Sequence, residues 1–184
     1  MHHENVRPEK SGGVTRLHFG EGLPAVCGDS PRVLILGSFP SEMSLARQEY
    51  YGNPQNKFWR IMGAVLGIGA DLPYCRRVEE IKRRHIALWD VASECRREGS
   101  SDSSIRDAVK NDIGGFLDAN PSVRAIILNG STGAGKMFSR FFKDFGSAYP
   151  DIDVLVMPST SPANAAVSLS AKIESWSALL GYLE

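Results

Sequence analysis

The stretch from residue 37 to residue 62 holds the side chains best suited to chemistry. It runs GSFPSEMSLARQEYYGNPQNKFWRIM, in which Tyr51 offers an aromatic face and Asn56 a neutral amide. An aromatic face can hold a flat ring by stacking, and a neutral amide can place a water molecule or hydrogen-bond a polar ligand. By residue type alone, capping the following helix is the commoner role for Asn56, and packing is an equally good role for Tyr51.

Two later segments supply further polar groups. Asn129 ends the apolar run VRAIILN, and its amide has both a donor and an acceptor for a polar ligand, although an asparagine before Gly130 also suits a plain turn. The segment MPSTSPANA, residues 157–165, combines two stiffening prolines with hydroxyls that can hold phosphates. A simple connecting loop is the alternative for this segment.

A scaffold has to position these side chains, and the apolar pattern indicates which one. Continuous apolar runs at VLILG (33–37), IALWDV (86–91), VRAIILN (123–129) and IDVLVM (152–157) predict four buried parallel strands. Helical periodicity between the runs, as at Phe58, Trp59, Ile61 and Met62, predicts helices around the sheet. The expected fold is α/β, a three-layer α/β/α sandwich with a central four-stranded parallel sheet.

In a sheet of this kind, ligands bind at the carboxyl ends of the strands. The loops that begin at Gly37, Asp90, Asn129 and Pro158 are therefore expected to form one site. A lone aspartate more often has a surface or capping role, so we expect Asp90 and Asp102 at most to shape the pocket or anchor its loops.

Taken together and in this order, the segments resemble the uracil-DNA glycosylase superfamily, particularly its hypoxanthine branch. The resemblance rests on GSFPS with the Tyr-Tyr-Gly and Asn-Pro-x-Asn-x-Phe-Trp that follow it, on LWD at 88–90, on GSSDSSI at 99–105, on the strand ending in Asn129 and on MPSTSPANA. It covers residues 20 to 184, approximately. It implies a uracil-DNA glycosylase-like fold and an enzyme that flips a deaminated base out of DNA and hydrolyses its N-glycosidic bond.

The resemblance also implies roles for individual residues. Asn56 is the expected catalytic residue, and Tyr51 is the aromatic on which the base stacks. Many relatives carry Asp or Asn in the first motif where this chain has Phe39, so no carboxylate is available there as a general base and the mechanism is expected to be largely dissociative. The expected base-binding residues are Gly37, Ser38, Phe39, Tyr51, Phe58 and Asn129. The expected DNA-binding residues are Ser159, Thr160, Ser161, Pro162, Ala163, Asn164 and Lys136.

The segment GSTGAGK, residues 130–136, raises a different hypothesis. It follows a strand and precedes a helix, and it satisfies most of the Walker A pattern, so a P-loop-like nucleotide-binding protein is an alternative. Against this alternative, Met137 stands where Ser or Thr would coordinate magnesium, and no strand with a terminal acidic residue follows. A non-catalytic nucleic-acid-binding domain of the same fold is a further alternative.

Composition bounds the remaining expectations. The 184 residues predict a disordered arm at residues 1–13 and a single domain at 14–184, and the net charge of +0 means that any DNA contact must come from a local patch. Three scattered cysteines, and four histidines away from the motif loops, predict neither a disulfide framework nor a metal or other cofactor. No apolar run is long enough to cross a membrane, so we expect a cytoplasmic protein, and a monomer by default.

The resemblance ranks hypoxanthine first and uracil second as the base removed. Both bases present a carbonyl beside an N–H, so the width of the pocket decides between them. The enzyme is expected to be monofunctional and to leave an abasic site, since nothing in the pattern points to a lysine nucleophile, although Lys57 lies close to Asn56 in sequence.

Overall fold

The computed structural model describes residues 18–184, so the arm predicted at residues 1–13 lies outside the described residues. In this described part, no helix is both long and apolar enough to span a membrane. The strands are β1 (His18–Glu21), β2 (Val33–Gly37), β3 (Ile86–Asp90), β4 (Ala92–Arg97), β5 (Arg106–Lys110), β6 (Ala125–Asn129) and β7 (Asp153–Met157). The α-helices are α1 (Glu42–Arg47), α2 (Phe58–Leu66), α3 (Tyr74–Arg83), α4 (Ile113–Ala119), α5 (Lys136–Phe141), α6 (Phe145–Ala148) and α7 (Leu169–Trp176). Two 3₁₀ turns, Asp102–Ser104 and Ser177–Tyr182, and a π-helical turn, Gly130–Gly135, complete the elements.

The central sheet contains the four strands that the apolar runs predict. Its order is β3-β2-β6-β7, and every neighbouring pair is parallel. The chain passes from β2 to β3 on one side and later returns to β6 on the other side of β2. The order therefore reverses between β2 and β6, and in a parallel sheet such a switch point opens a crevice at the carboxyl ends of the two strands.

Burial on both faces of β2 explains why the sheet lies in the middle of the molecule. All five residues of β2 are buried, and successive side chains point to opposite faces. Ile35 packs in one apolar cluster with Trp176 of α7, whereas Leu34 packs in a second cluster with Phe138 of α5. The predicted three-layer α/β/α sandwich is therefore confirmed.

A second, smaller sheet was not predicted from the sequence. Strands β1, β4 and β5 form an antiparallel sheet in that order, and Val26 bridges to Leu88 of the central sheet. These strands are short and largely polar, and their ladder joins segments far apart in the chain, so neither apolar runs nor local periodicity indicate them.

Candidate functional site

A cleft of about 1280 Å³ opens at the carboxyl ends of the parallel strands. Gly37, Asp90, Asn129 and Pro158, with which the four predicted loops begin, all line this cleft. The four loops therefore meet at one cleft, as expected. Gly37 and Asn129 end β2 and β6, so the cleft includes the switch point of the sheet.

The cleft collects almost all of the residues that the sequence singled out. Phe58 is the exception, because it is fully buried and its ring lies parallel to that of Tyr51, with the ring centroids 3.8 Å apart. Phe58 was predicted to bind the base, but it does not line the cleft. It packs behind the Tyr51 ring, which agrees with its position on the apolar face of α2. The predicted residues that line the cleft are Gly37, Ser38, Phe39, Tyr51, Asn56, Asn129, Lys136 and all of 159–164.

Tyr51 lies beside the cleft because of an uncommon backbone conformation. Its φ of +56° falls in the left-handed region, which few non-glycine residues adopt. The preceding Tyr50 enters the core, where its hydroxyl donates to the carbonyl oxygen of Leu23 at 3.1 Å. The Tyr51 hydroxyl is buried and has no hydrogen-bond partner among residues 18–184. Burial, and then the Asp90 carboxyl, raise the pKa of Tyr51 above its ordinary value, and the nearby Asn129 amide offsets this in part.

Asn56 stands where the loop meets α2. The N-cap residue of α2 is Lys57, and Oδ1 of Asn56 accepts the first N–H of the helix, that of Phe58, at 3.0 Å, so Asn56 has a cap-like role from one position before the N-cap. The residue is half-buried and lines the cleft, and its Nδ2 makes no hydrogen bond within the described part of the chain. The next backbone N–H, that of Lys57, donates to the carbonyl oxygen of Thr160 at 2.9 Å and fixes this turn against the loop at 158–164. Asn56 thus has a cap-like role and keeps a polar group free at the cleft.

Asn129 uses its amide within the protein. Its Nδ2 donates to Oγ1 of Thr160 at 2.9 Å, and its Oδ1 accepts the backbone N–H of Thr160, also at 2.9 Å. Thr160 is fully buried, so this pair of hydrogen bonds fastens the 158–164 loop to the end of β6. Asn129 therefore has a positioning role through both ends of its amide, and its role in reading a base edge stays a prediction.

We expect Asn129→Ala to cost about 1–3 kcal/mol of folding stability, because it leaves the Thr160 N–H buried without an acceptor. Thr160→Val keeps the backbone bond and removes only the hydroxyl, so its cost should be smaller. Urea unfolding of the two single variants and the double variant measures the coupling between them. Fully additive losses in the double variant would show that the bond from Asn129 to the Thr160 hydroxyl adds no stability, and the whole cost of Asn129→Ala would then belong to the bond with the Thr160 backbone N–H.

Asp90, at the end of β3, is more deeply placed in the site than its residue type suggested. It is 4% exposed, and its Oδ2 is buried with no partner in the described part of the molecule. Gly37 makes room for this carboxyl, since a Cβ at position 37 would overlap Oδ1 of Asp90. Burial, reinforced by the carboxyl of Asp102 and opposed by Arg97, raises the pKa of Asp90 to about 8. The sequence signal for this buried position was that Asp90 directly follows the apolar run in LWD.

Asp102 joins three loops at the cleft. Oγ of Ser38 donates to Oδ1 of Asp102, and a Cβ on Gly133 would overlap the other carboxylate oxygen. A nucleoside triphosphate over the π-helical turn would therefore meet a carboxylate, which disfavours the P-loop alternative. Within residues 18–184, no three His, Cys, Asp or Glu side chains lie together in a way that could hold a metal ion.

Helix α7 holds both ends of the 158–164 loop. The indole Nε1 of Trp176 donates to the carbonyl oxygen of Pro158 at 3.0 Å. Nζ of Lys172, a residue that is 3% exposed, donates to the carbonyl oxygen of Asn164 at 2.8 Å. Burial, and secondarily the charge of Lys57, lower the pKa of Lys172. The tip of the loop, residues 162–163, remains exposed between these anchors.

Comparison with known proteins gives the same picture. Residues 24–180 match the family model described as the uracil DNA glycosylase superfamily. A hypoxanthine DNA glycosylase of Methanosarcina acetivorans is 38% identical over 159 residues, which are 86% of this chain and 96% of that protein. A hypoxanthine DNA glycosylase of Methanosarcina barkeri is 39% identical over 113 residues, which are 60% of this chain and 70% of that protein.

A solved structure shares the fold as well. The solution NMR structure of a Methanosarcina acetivorans protein described as a candidate uracil DNA glycosylase has a TM-score of 0.76 and 36% sequence identity. The similarity covers 90% of this chain and 99% of that one. The family model spans most of the chain and the Methanosarcina acetivorans relative is matched over almost its whole length, so this chain belongs to the uracil DNA glycosylase superfamily.

Proposed function

We propose that this protein is a monofunctional DNA glycosylase that releases hypoxanthine from DNA, accepts uracil as a second substrate and leaves an abasic site. The observation that carries the proposal is that the Tyr51 ring and the Asn56 amide line the same cleft. The two Methanosarcina relatives described as hypoxanthine DNA glycosylases support the order of the two bases.

The base would be held against Tyr51. One face of this ring is covered by Phe58, and Phe58 in turn meets the Trp176 ring edge-on with the centroids 6.0 Å apart. Such a stack leaves Tyr51 little freedom, so a flipped base meets a rigid aromatic surface. Stacking of a base on an aromatic side chain contributes about 1–3 kcal/mol, enough to offset part of the cost of removing the base from the helix.

Asn56 would orient the water molecule that completes the reaction. Its Oδ1 is held by the Phe58 N–H, so the amide plane is fixed at the cleft. An amide is too weak a base to remove a proton from water early in the reaction. The bond between the base and C1′ therefore breaks largely before water attacks, and the departing base carries a negative charge that the pocket has to stabilise.

The DNA strand would follow the rim of the cleft. Lys136 and Arg106 are exposed residues that line it, and they provide a local positive charge on a chain whose net charge is +0. The exposed tip at 162–163 is suited to entering the space that the flipped base vacates.

Lys136→Ala is expected to weaken binding to DNA and to lower the slope of log affinity against log salt by about one, because one phosphate contact is lost. Fluorescence anisotropy with a labelled duplex at several salt concentrations measures both quantities. Lys143→Ala is the matched control, since Lys143 is also exposed but does not line the cleft. An equal effect of the two variants would indicate general charge attraction and no contact specific to Lys136.

Single-turnover cleavage tests the proposed function. Labelled duplexes carry one deoxyinosine, one deoxyuridine or normal bases alone, and the strands are resolved with and without alkali after incubation. We expect an alkali-dependent break at deoxyinosine, a slower one at deoxyuridine and none in the control duplex. Breaks without alkali would contradict the monofunctional assignment. Tight binding to DNA without any break would favour the non-catalytic nucleic-acid-binding alternative.

A further inference from the structure

Two polar side-chain atoms at the floor of the cleft are buried without a partner among residues 18–184. They are Oδ2 of Asp90 and the hydroxyl oxygen of Tyr51, which lies near the Asn129 side chain without a well-aligned hydrogen bond to it. Both groups border Gly37, where a Cβ would overlap Oδ1 of Asp90 and lie 3.7 Å from the Tyr51 hydroxyl. Buried polar groups are nearly always hydrogen-bonded, so two unpaired groups in a substrate cleft indicate the position of a polar edge of the ligand.

We propose that Asp90 reads the flipped base as a neutral carboxylic acid, donating a hydrogen bond to a carbonyl oxygen of the base and accepting one from the adjacent ring N–H. This inference rests on the proposed function and deepens it by naming the class of base. A carboxylic acid has one donor and one acceptor side by side, which match a carbonyl next to an N–H. Hypoxanthine and uracil both have such an edge.

The surroundings of Asp90 favour the neutral form. The charged and titratable groups that face it are Asp102 from the 3₁₀ turn, Arg97 from β4, and the phenols of Tyr50 and Tyr51 from the loop before α2. Arg97 donates its Nη2 to a backbone carbonyl oxygen at 2.6 Å, and no hydrogen bond joins it to Asp90 in the described structure. Burial therefore dominates, and the pKa of Asp90 is about 8.

The protonation state matters most when the base departs. The leaving base takes the electron pair of the glycosidic bond, and part of the resulting negative charge lies on its carbonyl oxygen. A hydrogen bond donated by a neutral acid strengthens as this charge develops. An ionised carboxylate would instead repel the negative charge of the departing base. Base release is therefore expected to slow as the pH rises through the pKa of Asp90.

The test compares the native protein with Asp90→Asn and Asp90→Ala on a deoxyinosine duplex under single-turnover conditions, from about pH 6 to about pH 10. We expect the native rate to fall about tenfold for each pH unit above about 8. Asp90→Asn keeps a donor and an acceptor and does not titrate, so its rate should stay within about tenfold of the native rate and lack this fall. Asp90→Ala should lose about 100-fold below pH 8, comparable to removal of one donor to a developing anion.

Asp151→Asn, at an exposed aspartate away from the cleft, is the control and should keep the native pH profile. An unchanged fall with pH in Asp90→Asn, or an undiminished rate in Asp90→Ala, would overturn the inference while leaving the proposed function intact. No release from any duplex by the native protein would overturn the proposed function and this inference together. If Asp90→Ala does not fold, the profiles of the native protein and Asp90→Asn still decide the question.

Discussion

Asn56→Ala is expected to slow release of hypoxanthine by about 10²-fold, the size of loss expected when the positioning of a reactant is disturbed. The side chain lines the cleft and has a free Nδ2, while its Oδ1 is fixed by the Phe58 N–H. The loss should appear in the single-turnover rate and leave the affinity for a duplex nearly unchanged. Loss of the cap costs only about 1 kcal/mol, so the variant is expected to fold.

Asn53→Ala is the matched control for Asn56→Ala. Asn53 is a second amide of the same loop, it also lines the cleft, and its Oδ1 caps the Gln55 N–H at 2.9 Å. Its replacement should reduce the rate by no more than a few-fold. If both variants lose the same amount, the effect of Asn56→Ala comes from a disturbed loop and the catalytic assignment is wrong.

Asp90→Asn is expected to stabilise the folded protein near neutral pH by up to about 4 kcal/mol. The pKa of Asp90 is about 8 in the folded state, against an ordinary value of 3.8. Between these two values the folded carboxyl keeps its proton and the unfolded one has lost it. The contribution of the native acid is therefore fully present below the ordinary pKa and is lost progressively as the pH rises toward the folded pKa. An asparagine does not titrate, so it avoids this loss.

The free energy of unfolding in urea, measured at about pH 5 and about pH 7, tests this prediction. The advantage of Asp90→Asn over the native protein should grow by a few kcal/mol between the two pH values, since about two further pH units at 1.36 kcal/mol each are involved. Asp151→Asn should change the stability by less than about 0.5 kcal/mol at either pH. A gain that is the same at both pH values would show that packing, and not ionisation, is responsible.

The stability of Asp90→Asn and its rate of base release are expected to change in opposite directions. If the neutral acid at the floor of the cleft serves base release, the native protein keeps a group that lowers its stability near neutral pH. An amide donates a weaker hydrogen bond than a carboxylic acid, so the more stable variant should also be the slower one. Such an exchange of stability for function is common where polar groups are buried in a binding site.

The sequence by itself determined the central sheet, the place of the site and the family. Apolar runs of five or six residues report burial on both faces of a strand, and parallel strands bring their carboxyl ends to one edge. Both are local or topological properties, so they can be predicted without coordinates. For the same reason the loops at Gly37, Asp90, Asn129 and Pro158 could be assigned to one cleft before their geometry was known.

The tertiary structure alone decided what several individual side chains do. Asn129 is committed to Thr160, Phe58 lies behind Tyr51, and the Asp90 carboxyl is buried over Gly37. The partners of Asn129 and Asp90 come from distant parts of the chain, and Phe58 meets Tyr51, seven residues earlier, only through the way the loop between them folds, so residue type alone carries no record of these contacts. Burial has the largest effect on Asp90, because the pKa of a carboxyl depends on how much water the surrounding elements exclude, and that exclusion exists only in the folded protein.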